Sequence, residues 1–168
     1  FRIPRRPALP DRGLQLIAMQ QATDFLDETH ALAELIAPLS DADYLHETAF
    51  KRWTIDMVLR HLHFWNTAAL LSVKDEAAFQ ALVSGLTDAL RSITARLMET
   101  WAHGQEVYDQ LGVVRENADR IRNIVVLGVN TYGWTFANRK LPIPEPMPHL
   151  VLTAPSGEIW TYGDAQAD

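Results

Sequence analysis

Thr54-Ile55-Asp56-Met57-Val58-Leu59-Arg60-His61-Leu62-His63-Phe64-Trp65 is the stretch on which the fold turns. Thr54 is a good helix N-cap, because its hydroxyl can accept an otherwise unpaired first-turn amide, and Asp56 is well placed against the helix dipole. The helical period runs on to about Leu71. Ile55, Val58, Leu59, Leu62 and Ala69 fall on one face, while Met57, Phe64, Ala68 and Leu71 line another. A helix apolar on two faces is expected to be buried, which predicts a mainly α bundle with this segment inside it. His61 then sits among apolar neighbours, where an imidazole needs a hydrogen-bond partner or a metal. His63 lies about 200° further round the helix, so it cannot share the direction of His61 and reads as structural or rim.

Upstream, Ala22, Phe25, Leu26, Thr29, Ala33 and Ile36 form a single helical stripe that starts cleanly at Met19 and is closed by Pro38. Residues 1–18 hold three prolines and no helical period, and read as an N-terminal extension with Met19 as the natural start. Arg5-Arg6 is not followed by a continuous apolar run, which argues against a twin-arginine export signal. Ser40-Asp41-Ala42-Asp43 reads as a capped turn. Downstream, residues 72–90 predict a shorter helix, and Arg91 to Leu111 a strong one closed by Gly112 as its C′ residue. Asn117 is positioned to cap a further helix through Phe136. The bundle is thus read as residues 19–138. Pro142, Pro144, Pro146 and Pro148 mark residues 139–148 as an extended linker, and two short strands, His149 to Thr153 and Ile159 to Tyr162, make a β-hairpin tail over 149–168. A lone hairpin is marginal in water, so it should pack on the bundle or open a larger C-terminal unit.

Composition narrows the function. The 168 residues are 48% hydrophobic and 21% charged, ordinary for one globular domain, and the net charge of −6 disfavours a nucleic-acid surface. No apolar run approaches the roughly 18 residues of a membrane span. The chain has no cysteine. That fits a cytoplasmic protein and removes thiolate metal sites and any nucleophilic thiol of the chain's own. Thiol chemistry here would need a thiol from outside.

Glu99-Thr100-Trp101-Ala102-His103 places a carboxylate and an imidazole four residues apart, about 40° round a helix, close enough to bind one ion. Arg96 lies one turn before Glu99 and Glu106 one turn after His103. Taken alone, the Glu-x3-His pair reads first as a surface hydrogen bond, and Arg96 and Glu106 have the competing account of a solvated salt-bridge ladder. His30, His46 and His149 belong to no matching constellation.

Trp53-Thr54-x6-His61-Leu62, followed by Arg96-x2-Glu99-x-Trp101-x-His103, resembles the N-terminal domain of mycothiol-dependent maleylpyruvate isomerases, in the DinB-like superfamily of metal-binding four-helix bundles. The likeness covers roughly Met19 to Trp160, because the tail from Pro148 to Trp160 resembles the opening of the family's smaller C-terminal domain. It implies an up-down helical bundle with a small C-terminal hairpin appendage, and a divalent metal held by His61, Glu99 and His103. The chain departs from the family in having Glu106 where Asp is often found. It also lacks a full bundle helix that family members carry before the Arg-x2-Glu helix. An unrecorded gap between Leu90 and Arg91 is therefore expected; a true peptide link there would point to a partner chain supplying that helix, in a homodimer.

Two imidazoles and one carboxylate suit zinc or another borderline divalent ion, and three protein ligands leave positions open, as in reactive rather than structural sites. The resemblance implies a metal- and thiol-dependent isomerase or transferase acting on a small electrophile. In the isomerase version a thiolate adds to a cis double bond, the resulting single bond rotates, and elimination gives the trans product. Mycothiol or an equivalent low-molecular-weight thiol would be the partner, Glu106 would steady His103, and Arg96 would balance Glu99 or attract a substrate carboxylate. A metal-dependent hydrolase and a non-catalytic, metal-binding stress-response module are the alternatives.

Overall fold

The computed structural model describes residues 12–75 and 93–165. The chain is mainly α, with helices α1 (Arg12–Ile36), α2 (Ile55–Lys74), α3 (Ile93–Gln110), α4 (Arg122–Asn130) and α5 (Tyr132–Asn138), then strands β1 (Leu150–Thr153) and β2 (Ile159–Tyr162). The Leu90–Arg91 junction and most of the helix expected over 72–90 lie outside the described residues; α2 itself carries on to Lys74.

Helix α3 is central, packing against α1, α2 and α4. Ile55, Val58, Leu62, Leu32 and Val107 form the main core, with Trp53, Tyr44 and Leu111 packed on it. Each such side chain fully buried stabilises the fold by roughly 1.5–3 kcal/mol. Thr54 caps α2 by accepting from the Met57 amide at 3.2 Å. Helix α3 ends on Gly112 at φ 65, where the Gly112 amide donates to Asp109 and the Val113 amide to Tyr108, the paired bonds of a Schellman close. Gly112→Ala is expected to lower stability by about 1 kcal/mol in chemical denaturation, because a Cβ is disfavoured at positive φ although nothing stands within 4 Å of it.

Four expectations need correction. Helix α1 starts at Arg12, inside the stretch read as an extension without helical period, and not at Met19. The second face of α2 is not buried among the described residues: Met57 is 52% exposed and Phe64 39%, while Ala68 alone on that face is fully buried. On α1 the buried edge is Asp24, Glu28 and Leu32, whereas Ala22, Leu26 and Ala33 face solvent. Ion pairing moved the stripe, since Glu28 lies under two arginines of the segment after α3. Finally, the helix expected from Asn117 to Phe136 is broken. Asn117 accepts from Trp101 Nε1 at 2.9 Å instead of capping, and Thr131 parts α4 from α5, its hydroxyl donating back to the Leu127 and Gly128 carbonyls. Such back-bonding at a threonine that follows Asn130 and stands two residues before Gly133 weakens helix continuation.

Strands β1 and β2 pair antiparallel, Leu150 with Tyr162 and Thr153 with Ile159. The hairpin packs on the helical part. Ser156 donates from its amide and hydroxyl to Asp119, at 2.9 and 2.6 Å, and Arg122 lies over the buried Trp160 ring. At Gly163 a Cβ would run into the Pro148 carbonyl, so the chain leaving β2 needs glycine there.

Candidate metal centre

Helix α2 brings in His61 two turns after its cap, and α3 brings in Glu99 and His103 on successive turns. His61 Nε2 and His103 Nε2 each stand 3.3 Å from the same Glu99 oxygen, Oε2. The two imidazole centroids are 4.7 Å apart. One donor atom from each of the three residues falls within 4.8 Å of the others, so the trio could bind a metal. The spacing is informative. A charge-assisted N–H···O bond closes to about 2.7–2.9 Å, whereas two ligands each ~2.1 Å from a shared tetrahedral ion stand about 3.4 Å apart. The 3.3 Å spacing lies close to that of co-ligands on one tetrahedral ion and is long for a charge-assisted hydrogen bond.

The surroundings fix the rings. Glu106 Oε1 is 2.8 Å from His103 Nδ1; a carboxylate oxygen can only accept, so Nδ1 is the donor, and Nε2 is the ring nitrogen turned to Glu99. Thr48, itself buried, stands 3.5 Å from the other Glu106 oxygen. Trp53 stacks on His103 at 5.9 Å and leans on His61 at 5.2 Å; Phe50 meets His103 edge-on, and Trp65 meets His61 edge-on. The imidazoles thus sit in an aromatic wall, each only 14–24% exposed at its side chain.

That wall depends on a tight turn. The Trp53 amide donates to Phe50 and the Thr48 amide to Trp53, closing a loop in which Lys51 and Arg52 both adopt left-handed backbone, φ 51 and 58. Consecutive positive φ at non-glycine residues costs on the order of 1–2 kcal/mol each, a strain found where surrounding structure enforces it, often at functional sites. Here it places Phe50 and Trp53 on the imidazole faces. Neither Lys51 nor Arg52 advertises such a turn, and Phe50 carries no sequence signal for the role.

Of the remaining named residues, His63, His30 and His46 are exposed, and His149 lies at the hairpin. Arg96 is 5% exposed and makes no ion pair at contact distance among the described residues. Burial holds its guanidinium below its ordinary range, with the Glu99 charge acting the other way.

A helical bundle with a His-Glu-His donor set at its edge defines the class, and comparison with known proteins gives the family. Residues 25–88 match the mycothiol maleylpyruvate isomerase N-terminal domain, a span that includes His61 and stops before Glu99 and His103. Two uncharacterized proteins of Mycobacterium tuberculosis, from strains ATCC 25618 / H37Rv and CDC 1551 / Oshkosh, are each 31% identical over 198 residues, covering 86% of this chain and 77% of theirs. The chain belongs to the mycothiol maleylpyruvate isomerase N-terminal domain family. Because 86% of 168 residues is only about 144, the relatives carry on the order of fifty residues inside the matched stretch with no counterpart here. No solved structure matches the chain. Among the described residues no helix is long and apolar enough to cross a membrane.

Proposed function

We propose that His61, Glu99 and His103 hold one divalent metal ion, zinc by the nature of the donors, in a cytoplasmic enzyme that uses an external low-molecular-weight thiol to isomerise or conjugate a small electrophile. The observation that carries the reading is the single Glu99 oxygen standing 3.3 Å from two imidazole Nε2 atoms. The donor chemistry supports zinc, and family membership supports mycothiol as the thiol. When bound, the ion would supply the positive charge that deprotonates a thiol whose free pKa is ~8.5.

The chain's own residues do the rest. Glu106 holds the His103 tautomer that offers Nε2. Trp53, Phe50 and Trp65 keep both rings from turning and exclude water from their faces. The cysteine-free sequence leaves the nucleophile to be supplied from outside.

Metal analysis of the purified protein, calorimetry with mycothiol and a maleylpyruvate conversion assay test this together. One equivalent of metal, thiol affinity that disappears on chelation, and appearance of the trans isomer are expected. Metal retention without thiol affinity, together with cleavage of an ester or amide, would transfer the assignment to a hydrolase. A metal-loaded protein silent in both assays would leave a binding module.

A further inference from the structure

One turn before Glu99 on α3, the buried Arg96 has two guanidinium nitrogens, Nε and Nη1, with no hydrogen-bond partner, and the Thr100 hydroxyl one turn on is also buried and unpartnered. A guanidinium is always charged near neutrality and offers five donors in a flat fork shaped for a carboxylate. Burying such donors unmatched forfeits their hydration, so native proteins match them with an anion or ordered water.

Arg96 and Glu99 line a cavity of about 480 Å³ whose other walls are Ala95, Met98, Ile124, Leu127, Gly128 and Thr131. Mostly apolar walls with a few polar groups, here Arg96, Glu99 and Thr131, are the usual form of a small-molecule site. The neighbouring carboxylate does not neutralise the anchor at contact distance, since Glu99 turns Oε2 toward the two imidazoles. Glu28 is engaged with Arg115 and Arg120, and Asp24 with Gln20 and Asn123.

We infer that Arg96 is the anchor of a binding site for a small organic carboxylate, whose short apolar body lies against Ile124, Leu127 and Met98. The site stands on Arg96 and the cavity and does not require a metal at the neighbouring trio. Water filling the cavity is the competing account, and it predicts no saturable anion binding.

Butyrate and its uncharged isostere butyramide are suitable probes, titrated calorimetrically into the whole protein before and after chelation. Saturable butyrate binding is expected in both states, at least tenfold tighter than butyramide and accompanied by a rise in Tm. Arg96→Met should reduce butyrate affinity at least tenfold, and Arg96→Lys should restore part of it. Without ligand, Arg96→Met should leave Tm unchanged or higher, because the substitution removes an unmatched buried charge. A fall in Tm would make Arg96 a structural residue and overturn the inference. Equal binding of butyramide, undiminished binding by Arg96→Met, or no binding at tens of millimolar butyrate would also overturn it. If butyrate binding vanishes on chelation and in His61→Ala alike, the carboxylate sits on the metal ion. The Arg96 site is then refuted while the metal reading stands.

Discussion

With a divalent metal held as proposed by His61, Glu99 and His103, protein carrying His61→Ala is expected to purify without it, while His63→Ala retains it in full. The two residues are adjacent in register yet opposite in direction: His61 turns Nε2 toward Glu99, and His63 is exposed to solvent. A three-ligand site that loses one nitrogen keeps only the Glu99–His103 pair on a single helix, and such i, i+4 pairs are too weak to hold zinc at low concentration. Glu106→Gln gives the graded control. It keeps the shape but replaces a carboxylate with a neutral acceptor at His103 Nδ1, a change that typically costs about 10–100-fold in metal affinity. Competition with a chromophoric chelator should therefore rank wild type and His63→Ala together, Glu106→Gln below them, and His61→Ala last. Equal retention by His61→Ala and wild type would remove His61 from the donor set. Loss of metal in His63→Ala with a native circular-dichroism spectrum would relocate the site to the other face of α2.

Much of the scaffold around that site was legible because it rests on local rules. The hydroxyl of Thr54, the φ 65 that Gly112 tolerates and the alternation around Ala154-Pro155-Ser156-Gly157 each act within a few residues of themselves. The meeting of Glu99 and His103 likewise follows from one helix period. That His61 joins them is a tertiary fact that periodicity does not contain; it was legible only through the family motif. Features set by partners far away in sequence were hidden. The buried edge of α1 follows charges ninety residues on, so the hydrophobic stripe was right at half-buried Phe25, Thr29 and Ile36 and wrong at exposed Ala22, Leu26 and Ala33. The left-handed pair Lys51-Arg52 is held by the Glu47–Thr54 bridge, by Trp53 seated on two imidazoles and by Arg52 donating to Glu47, contacts that no local pattern at Lys51-Arg52 announces. The apolar second face of α2 was expected to be covered, because its period repeats apolar residues there, yet Met57 and Phe64 are exposed among the described residues.

Glu28→Ala should destabilise the fold by about 3–5 kcal/mol, the usual cost of leaving a buried charge without its partner. Glu28 is 1% exposed on α1 and accepts from Arg115 Nη2 through one oxygen and from Arg120 Nε at 2.7 Å through the other. Arg115 is as deeply placed, with Nη1 donating to the Trp101 carbonyl at 2.6 Å and its plane near the Trp101 and Tyr108 rings. Burial, with the neighbouring Arg120 charge adding to it, pushes the Arg115 guanidinium down to about 10. It therefore stays charged near neutrality in a place that resists charge, and Glu28 is the counter-ion that makes this tolerable. Removing the carboxylate leaves two guanidinium groups facing each other with no anion between them. Against a typical total stability of 5–15 kcal/mol, the loss should move Tm by on the order of 10 °C. The exposed Arg52–Glu47 pair has an equally short contact of 2.7 Å, yet Glu47→Ala should change Tm little, since solvent already screens both groups. Burial, not contact distance, separates the two cases. A thermal melt in which Glu28→Ala and Glu47→Ala shift equally would contradict this account. A Glu28→Met, Arg115→Met double variant checks its origin: with both charges replaced by apolar groups it should recover part of the loss, Arg120 being less buried and able to reach water.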